Sequence, residues 1–85
     1  MEIQHLVEMA NQIGDFHRSF PDHAEALKGT AMHIRRSWEP RMRRALLAHI
    51  DGAAAGEGLS PFVLEAIAAY RTELTPPLAT PPAAP

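Results

Sequence analysis

The stretch Asp22-His23-Ala24-Glu25-Ala26-Leu27-Lys28-Gly29-Thr30-Ala31-Met32-His33-Ile34-Arg35-Arg36-Ser37-Trp38-Glu39-Pro40 decides the secondary-structure class. Ala24, Leu27, Ala31, Ile34 and Trp38 are spaced 3, 4, 3, 4, a narrow heptad-like seam for one neighbouring helix. Asp22 with Glu25 three residues later fits a capping box, with Asp in place of the usual Ser or Thr. Pro21 cannot extend a preceding helix without losing a hydrogen bond. At the far end, Pro40 disfavours helical geometry at Glu39 and suits the first position of a new helix.

Upstream, Ile3, Leu6, Val7, Ala10 and Ile13 form a helical stripe within a segment expected from about Glu2 to Ser19. Met9, Ile13, Phe16 and Phe20 form an adjoining stripe, so the apolar face is broad. Gly14 lies inside this helix, where glycine costs about 1 kcal/mol relative to Ala. Close approach by another backbone and a tolerated defect are equally good accounts of it. Downstream, Met42, Ala45, Leu46, His49 and Ile50 mark the inner face of a third helix from Pro40 to about Ile50. Asp51-Gly52 and Gly56-Glu57-Gly58 bracket a loop. Ser60-Pro61 supplies an N-cap and a first-turn proline for a fourth helix using Val63, Ala66, Ile67, Tyr70 and Leu74. With no strand-like alternation and no hairpin signal, the expected fold is all-α, a small bundle of three to four helices. Residues 1–74 make the helical domain. Residues 75–85 are a Pro/Ala/Thr tail, expected to be extended, flexible and disordered. Pro82-Ala83-Ala84-Pro85 matches a bare P-x-x-P with no basic residue beside it, and plain disorder accounts for it.

At 85 residues the chain has room for one domain, of a size that buries a modest fraction of its surface and leans on a staple or a partner. It has no cysteine, which excludes disulfides, iron–sulfur clusters and thiolate zinc sites within it. No apolar run approaches the roughly 20 residues of a membrane span. No signal peptide is visible after Met1-Glu2, so the expected location is the cytoplasm.

Little in the sequence carries catalytic chemistry. His5, His17, His23, His33 and His49 are scattered, without the i, i+4 pair of a zinc helix, and read as surface or partly buried histidines. Glu2-Ile3-Gln4-His5 is one E-x-x-H, where a di-iron bundle needs two and further carboxylates. Ser19, Ser37 and Ser60 fall at element ends, where serine caps or turns, and no G-x-S-x-G elbow or phosphate-binding glycine loop is present. No catalytic, cofactor-binding or metal-binding residue is therefore assigned.

The outstanding feature is charge. The net charge is −2, yet residues 35–44 hold Arg35, Arg36, Arg41, Arg43 and Arg44 against Glu39 alone, about +4 against about −6 for the rest. The same segment carries the only tryptophan, Trp38, and Pro40. Trp and Arg are enriched at interface hot spots, and Arg pairs bidentately with carboxylates. The segment thus reads as a docking surface, against the plainer account of a core Trp with a solvated basic face. The rival function is a small helical nucleic-acid-binding regulator, disfavoured by the negative net charge.

Two blocks carry a resemblance. Leu6-Val7-Glu8-Met9-Ala10-Asn11-Gln12-Ile13-Gly14-Asp15-Phe16 and His33-Ile34-Arg35-Arg36-Ser37-Trp38-Glu39-Pro40-Arg41-Met42-Arg43 resemble the delta subunit of soluble NAD-dependent formate dehydrogenases, and the later Leu59-Ser60-Pro61 fits as well. The likeness covers about residues 3–70. His17 stands where the family tends to have an aromatic, and Ser37 where a larger residue is common. The resemblance implies a non-catalytic, cofactor-free subunit that supports assembly, cofactor loading or stability of a cytoplasmic alpha-beta-gamma-delta complex. It implies that the alpha (catalytic) subunit carries a molybdenum or tungsten bis-pterin cofactor and iron–sulfur clusters. Beta and gamma would carry flavin (FMN), further clusters and the NAD site. On this view Met9, Phe16, Phe20, Arg35, Arg36, Trp38, Pro40, Arg41 and Arg43 are the expected partner interface, with no nucleic acid, membrane or small-molecule substrate of its own. Transient chaperoning during cofactor insertion is the variant of this role.

Overall fold

The computed structural model describes residues 2–77 and is helical, with no strand among the described residues. In chain order the elements are α1 (Ile3–His17), α2 (His23–Ser37), α3 (Pro40–Asp51), α4 (Pro61–Ala69) and the single turn α5 (Arg71–Leu74). Their ends follow local chemistry. The Asp22 carboxylate accepts from the Glu25 N–H at 3.1 Å, the cap expected for α2. Trp38 is extended (φ −97°, ψ 135°) ahead of Glu39-Pro40, so α2 stops there and Pro40 opens α3. Ser60 Oγ accepts from the Val63 N–H at 3.2 Å, with Pro61 in the first turn of α4.

The α3–α4 connection turns through left-handed backbone at Ala55 (φ 50°), Gly56 (φ 78°) and Gly58 (φ 94°), which glycine adopts without a Cβ clash. The fourth helix is shorter than its sequence suggests. Tyr70 leaves helical geometry (φ −121°, ψ 31°), and the chain restarts as α5. At this break Arg71 makes a two-pronged pair with Asp51 at the end of α3, Nη1 to Oδ1 at 2.9 Å.

Helix α1 packs on α2, α3 and α4, while α2 also meets α4 and α5. The core is formed by Leu6, Val7 and Ala10 from α1, Ala31 and Ile34 from α2, then Trp38, Leu46 and Leu47, Leu59, Val63 and Ile67, and Leu74. The seam of α2 is broader than its heptad spacing implies. Ala24 is exposed, while Ala26 and Thr30 are buried beside Leu27, Ala31 and Ile34. Thr30 satisfies its hydroxyl by donating to the Ala26 carbonyl at 2.9 Å, so a polar residue enters the core without an orphaned group. Gly14 is buried at a true close approach: a Cβ there would lie 2.5 Å from Val63 Cγ2. The glycine is therefore no tolerated defect, but the close approach is made by the Val63 side chain and not, as the sequence account had it, by another backbone.

Within Thr75–Pro77, assigned to the tail on composition, Pro76 is buried and the exposed Thr75 donates its hydroxyl to the Arg71 carbonyl at 2.7 Å. The remainder of the expected tail, including Pro82-Ala83-Ala84-Pro85, lies outside the described residues.

Candidate interaction surface

The arginine-rich segment is turned largely on its own chain. Helix ends leave carbonyls without intrahelical donors, here those of Glu73 and Leu74 at the end of α5, and the Pro77 carbonyl follows beyond it. Arg35 Nε donates to the Glu73 carbonyl at 3.1 Å, Arg43 Nη1 to the Leu74 carbonyl at 3.2 Å and Arg44 Nη2 to the Pro77 carbonyl at 3.4 Å. Residues from α2 and α3 thereby fasten the segment that follows α4. Arg41 is exposed, 3.9 Å from a Glu39 oxygen, a separation that contributes little in water. Arg36 is exposed and makes no ion pair or hydrogen bond among the described residues.

Trp38 is 4% exposed and sits within the core cluster. The plainer account of this residue, a core tryptophan, is the one the fold realises, and its indole is not available on the surface of this conformation. Pro40 is exposed as the first residue of α3, and Met9 is half-buried against the core. Of the nine residues expected at a partner interface, Phe16 and Phe20 are the large apolar ones left outside. They are 65% and 41% exposed, the large hydrophobics so placed among the described residues.

Phe16 lies in the last turn of α1 and Phe20 in the turn that follows it, and they converge with ring centroids 5.7 Å apart in an edge-to-face arrangement. His17 lies between them, 5.0 Å from Phe16 and 5.2 Å from Phe20, and its ring meets His33 of α2 at 5.8 Å. The hairpin closes tightly here, for a Cβ on Gly29 would stand 2.6 Å from His17 Nδ1. Both His17 ring nitrogens are buried without a hydrogen-bond partner among the described residues. A neutral imidazole always carries one N–H, so the corner holds one unsatisfied donor. Burial holds the His17 pKa below the usual imidazole value, and the positive charges of His33 and Arg36 push it the same way. The arrangement is four aromatic rings, Phe16 and Phe20 outermost and His17 meeting His33 beneath them. The i, i+4 spacing of Phe16 and Phe20 was visible in the sequence; the inward turn of His17 and its meeting with His33 depend on how α1 crosses α2.

A second polar device joins distant parts of the chain. Asn11 on α1 donates from Nδ2 to the Gly58 carbonyl and accepts from the Ser60 N–H, both at 2.9 Å. It holds the α3–α4 loop and the start of α4. Sequence periodicity passes over Asn11, because a polar residue at a helix position off the apolar stripe reads as solvated. Beyond it, a groove between the start of α1 and the loop is lined by Ile3, Val7, Glu8, His49 and Glu57, with His49 Nε2 2.8 Å from the Glu57 carbonyl. Among the described residues no cluster of three or more potential metal ligands occurs, and no helix is long and apolar enough to cross a membrane.

By fold the described residues form a small all-α protein, with five helices among them. The family model of the NADH-dependent formate dehydrogenase delta subunit FdsD matches residues 5–67, and the chain belongs to this family. Comparison with curated proteins and with solved structures finds no match. The matched span runs from the first turn of α1 to Ile67 in α4, so it takes in the Phe16–Phe20 corner, Trp38 and the arginine-rich segment.

Proposed function

We propose that this chain is a non-catalytic accessory subunit. It docks on the alpha (catalytic) subunit of a cytoplasmic NAD-dependent formate dehydrogenase and supports assembly, cofactor loading or stability of the complex. The observation that carries this reading is family membership over residues 5–67. The exposed Phe16 and Phe20 rings support it, since a chain this short gains by covering such area with a partner. The molybdenum or tungsten pterin, iron–sulfur and flavin chemistry is then the work of the other subunits.

The test is co-expression of the other dehydrogenase subunits with and without this chain. The purified enzyme is assayed for formate-dependent NAD reduction, pterin-metal content and half-life on heating. The expected outcome is a deficit in metal content or heat stability when the chain is omitted. Equal activity, metal content and half-life in both preparations would overturn the proposal. Size-exclusion of the active enzyme separates two forms of the role: a permanent subunit co-elutes, whereas an assembly factor acts and is absent from the final complex.

A further inference from the structure

Three guanidiniums from α2 and α3 converge on one short stretch of main chain. Arg35 holds the Glu73 carbonyl, Arg43 the Leu74 carbonyl and Arg44 the Pro77 carbonyl. The chain carries ten carboxylate side chains, yet these three arginines pair with none of them among the described residues. Arg71 shows what a carboxylate offers instead, since Asp51 takes both of its prongs. Two oxygens and a full opposite charge match a guanidinium in a way that a single main-chain carbonyl does not. Arg43 is left short by its carbonyl: its Nε is buried without an acceptor among the described residues, and buried N–H groups are nearly always paired.

The cover over these arginines is slight. Helix α5 is a single turn of four residues that restarts after the break at Tyr70, and a helix so short has no stability of its own. Within residues 71–77 the buried side chains are Leu74 and Pro76. The segment thus rests on two apolar anchors, the arginine bonds and the Arg71–Asp51 pair at its start. Segments of this kind open locally at lower free energy than the helices of a core. The arginines lie within the matched family span, residues 5–67, and the carbonyls they hold lie beyond it.

We propose that residues 73–77 are a self-masking strap over a basic docking face. The strap lifts when an acidic segment of another formate dehydrogenase subunit takes Arg35, Arg43 and Arg44. Charge complementarity selects that occupant: three converging guanidiniums oppose a basic surface, whereas carboxylates replace the three carbonyls and also supply the acceptor that Arg43 Nε lacks. This rests on the accessory-subunit reading and deepens it, by naming the face that docks and the segment that covers it in the free chain.

The test is amide hydrogen exchange of this chain, free and within the assembled dehydrogenase. In the free chain the Leu74 and Thr75 N–H groups donate to the Tyr70 and Arg71 carbonyls. On assembly these two amides should exchange about tenfold or more faster, while the buried amides of α1 stay protected. Unchanged or slower exchange at Leu74 and Thr75 in a complex that forms overturns the strap and leaves the accessory role standing. Failure of the chain to associate at all overturns both. Faster exchange with a short DNA duplex, but not with the dehydrogenase, assigns the face to phosphates and also overturns it. A second arm is pull-down of the dehydrogenase through a tag on this chain, at several salt concentrations, with folding checked by circular dichroism. Thr75→Pro removes the Thr75 N–H and disfavours helical geometry at Leu74, so it loosens the strap from an exposed position and leaves the arginines intact. It should bind about threefold or more tightly, because a larger fraction of the chain is open for binding. Arg35→Ala/Arg44→Ala, at two exposed positions, should bind about tenfold more weakly and lose part of the salt dependence. A folded Thr75→Pro chain that binds no more tightly than wild type, or a double arginine variant that binds as well as wild type, overturns the proposal. The exchange measurement needs no substitution and decides where a variant fails to fold.

Discussion

Gly14 and Val63 meet where α1 lies on α4, at a separation that leaves no room for a side chain on the first: its Cβ would stand 2.5 Å from Val63 Cγ2. Val63 is fully buried and branched at Cβ, so that methyl cannot swing aside. Gly14→Ala gains up to about 1 kcal/mol of helix propensity, yet overpacking a filled core costs about 1–3 kcal/mol. The net expectation is a loss of stability of about 1 kcal/mol, seen as a lower urea midpoint. An unchanged or raised midpoint would show that α1 and α4 slide apart at no cost.

Asn11 connects α1 to the loop before α4 through two hydrogen bonds of 2.9 Å. Asn11→Ala leaves the part-buried Ser60 N–H without its acceptor, at a cost of about 1–3 kcal/mol. Amide exchange at Ser60 should accelerate with the drop in stability. Exchange at wild-type rates would mean that water replaces the side chain fully.

Trp38, as a core residue, should show blue-shifted fluorescence in the folded chain that moves to the red on unfolding. Trp38→Ala should cost about 3–5 kcal/mol, a large part of the stability of any small domain, and Trp38→Phe much less. A Trp38→Ala chain that keeps its helicity and melting temperature while losing only enzyme binding would instead restore Trp38 to the docking surface.

The pH response follows from His17. Its pKa is lowered in the folded chain by burial first, then by His33 and Arg36. The unfolded chain therefore takes up a proton at higher pH than the folded one does. Stability from this residue is complete above the ordinary imidazole pKa of about 6.5 and falls as pH drops from there toward the folded value. His17→Phe, which removes both the titration and the unpaired ring N–H, should flatten the melting-temperature profile on the acid side of neutrality. A profile of unchanged slope would place the titration elsewhere.

Arg35 and Arg43 fasten the carbonyls of Glu73 and Leu74. Each bond is worth about 0.5–1.5 kcal/mol net. The double variant Arg35→Ala/Arg43→Ala should accordingly speed amide exchange at Leu74 and Thr75 by about tenfold or more. The buried amides of α1 should change little. Equal acceleration throughout the chain would mean that α5 unfolds only with the whole molecule.

The helices and most of their ends were legible in the sequence because those signals are local. Asp22, Ser60, Pro40 and Pro61 act on backbone within a turn of themselves, and the apolar spacing of α1 to α4 needs only the helical period. The break at Tyr70 was not legible, because its surroundings include Asp51 and the arginines of α2 and α3, far away in the chain. The docking residues divide in the same way. Composition identified arginine, tryptophan and phenylalanine as interface types, but type does not say which way a side chain faces.

By itself, then, the sequence determined that Asp22–Pro40 contains a capped helix ended by proline, that the chain is all-α, and which residues could pair or pack. Tertiary structure decided that Trp38 closes the core, that Arg35, Arg43 and Arg44 bind the chain's own carbonyls, and that Phe16 and Phe20 are left at the surface. The physical reason is reach. Capping and periodicity act over one helical turn, whereas the crossing of α1, α2 and α4 sets which apolar face is covered and which guanidinium finds an acceptor.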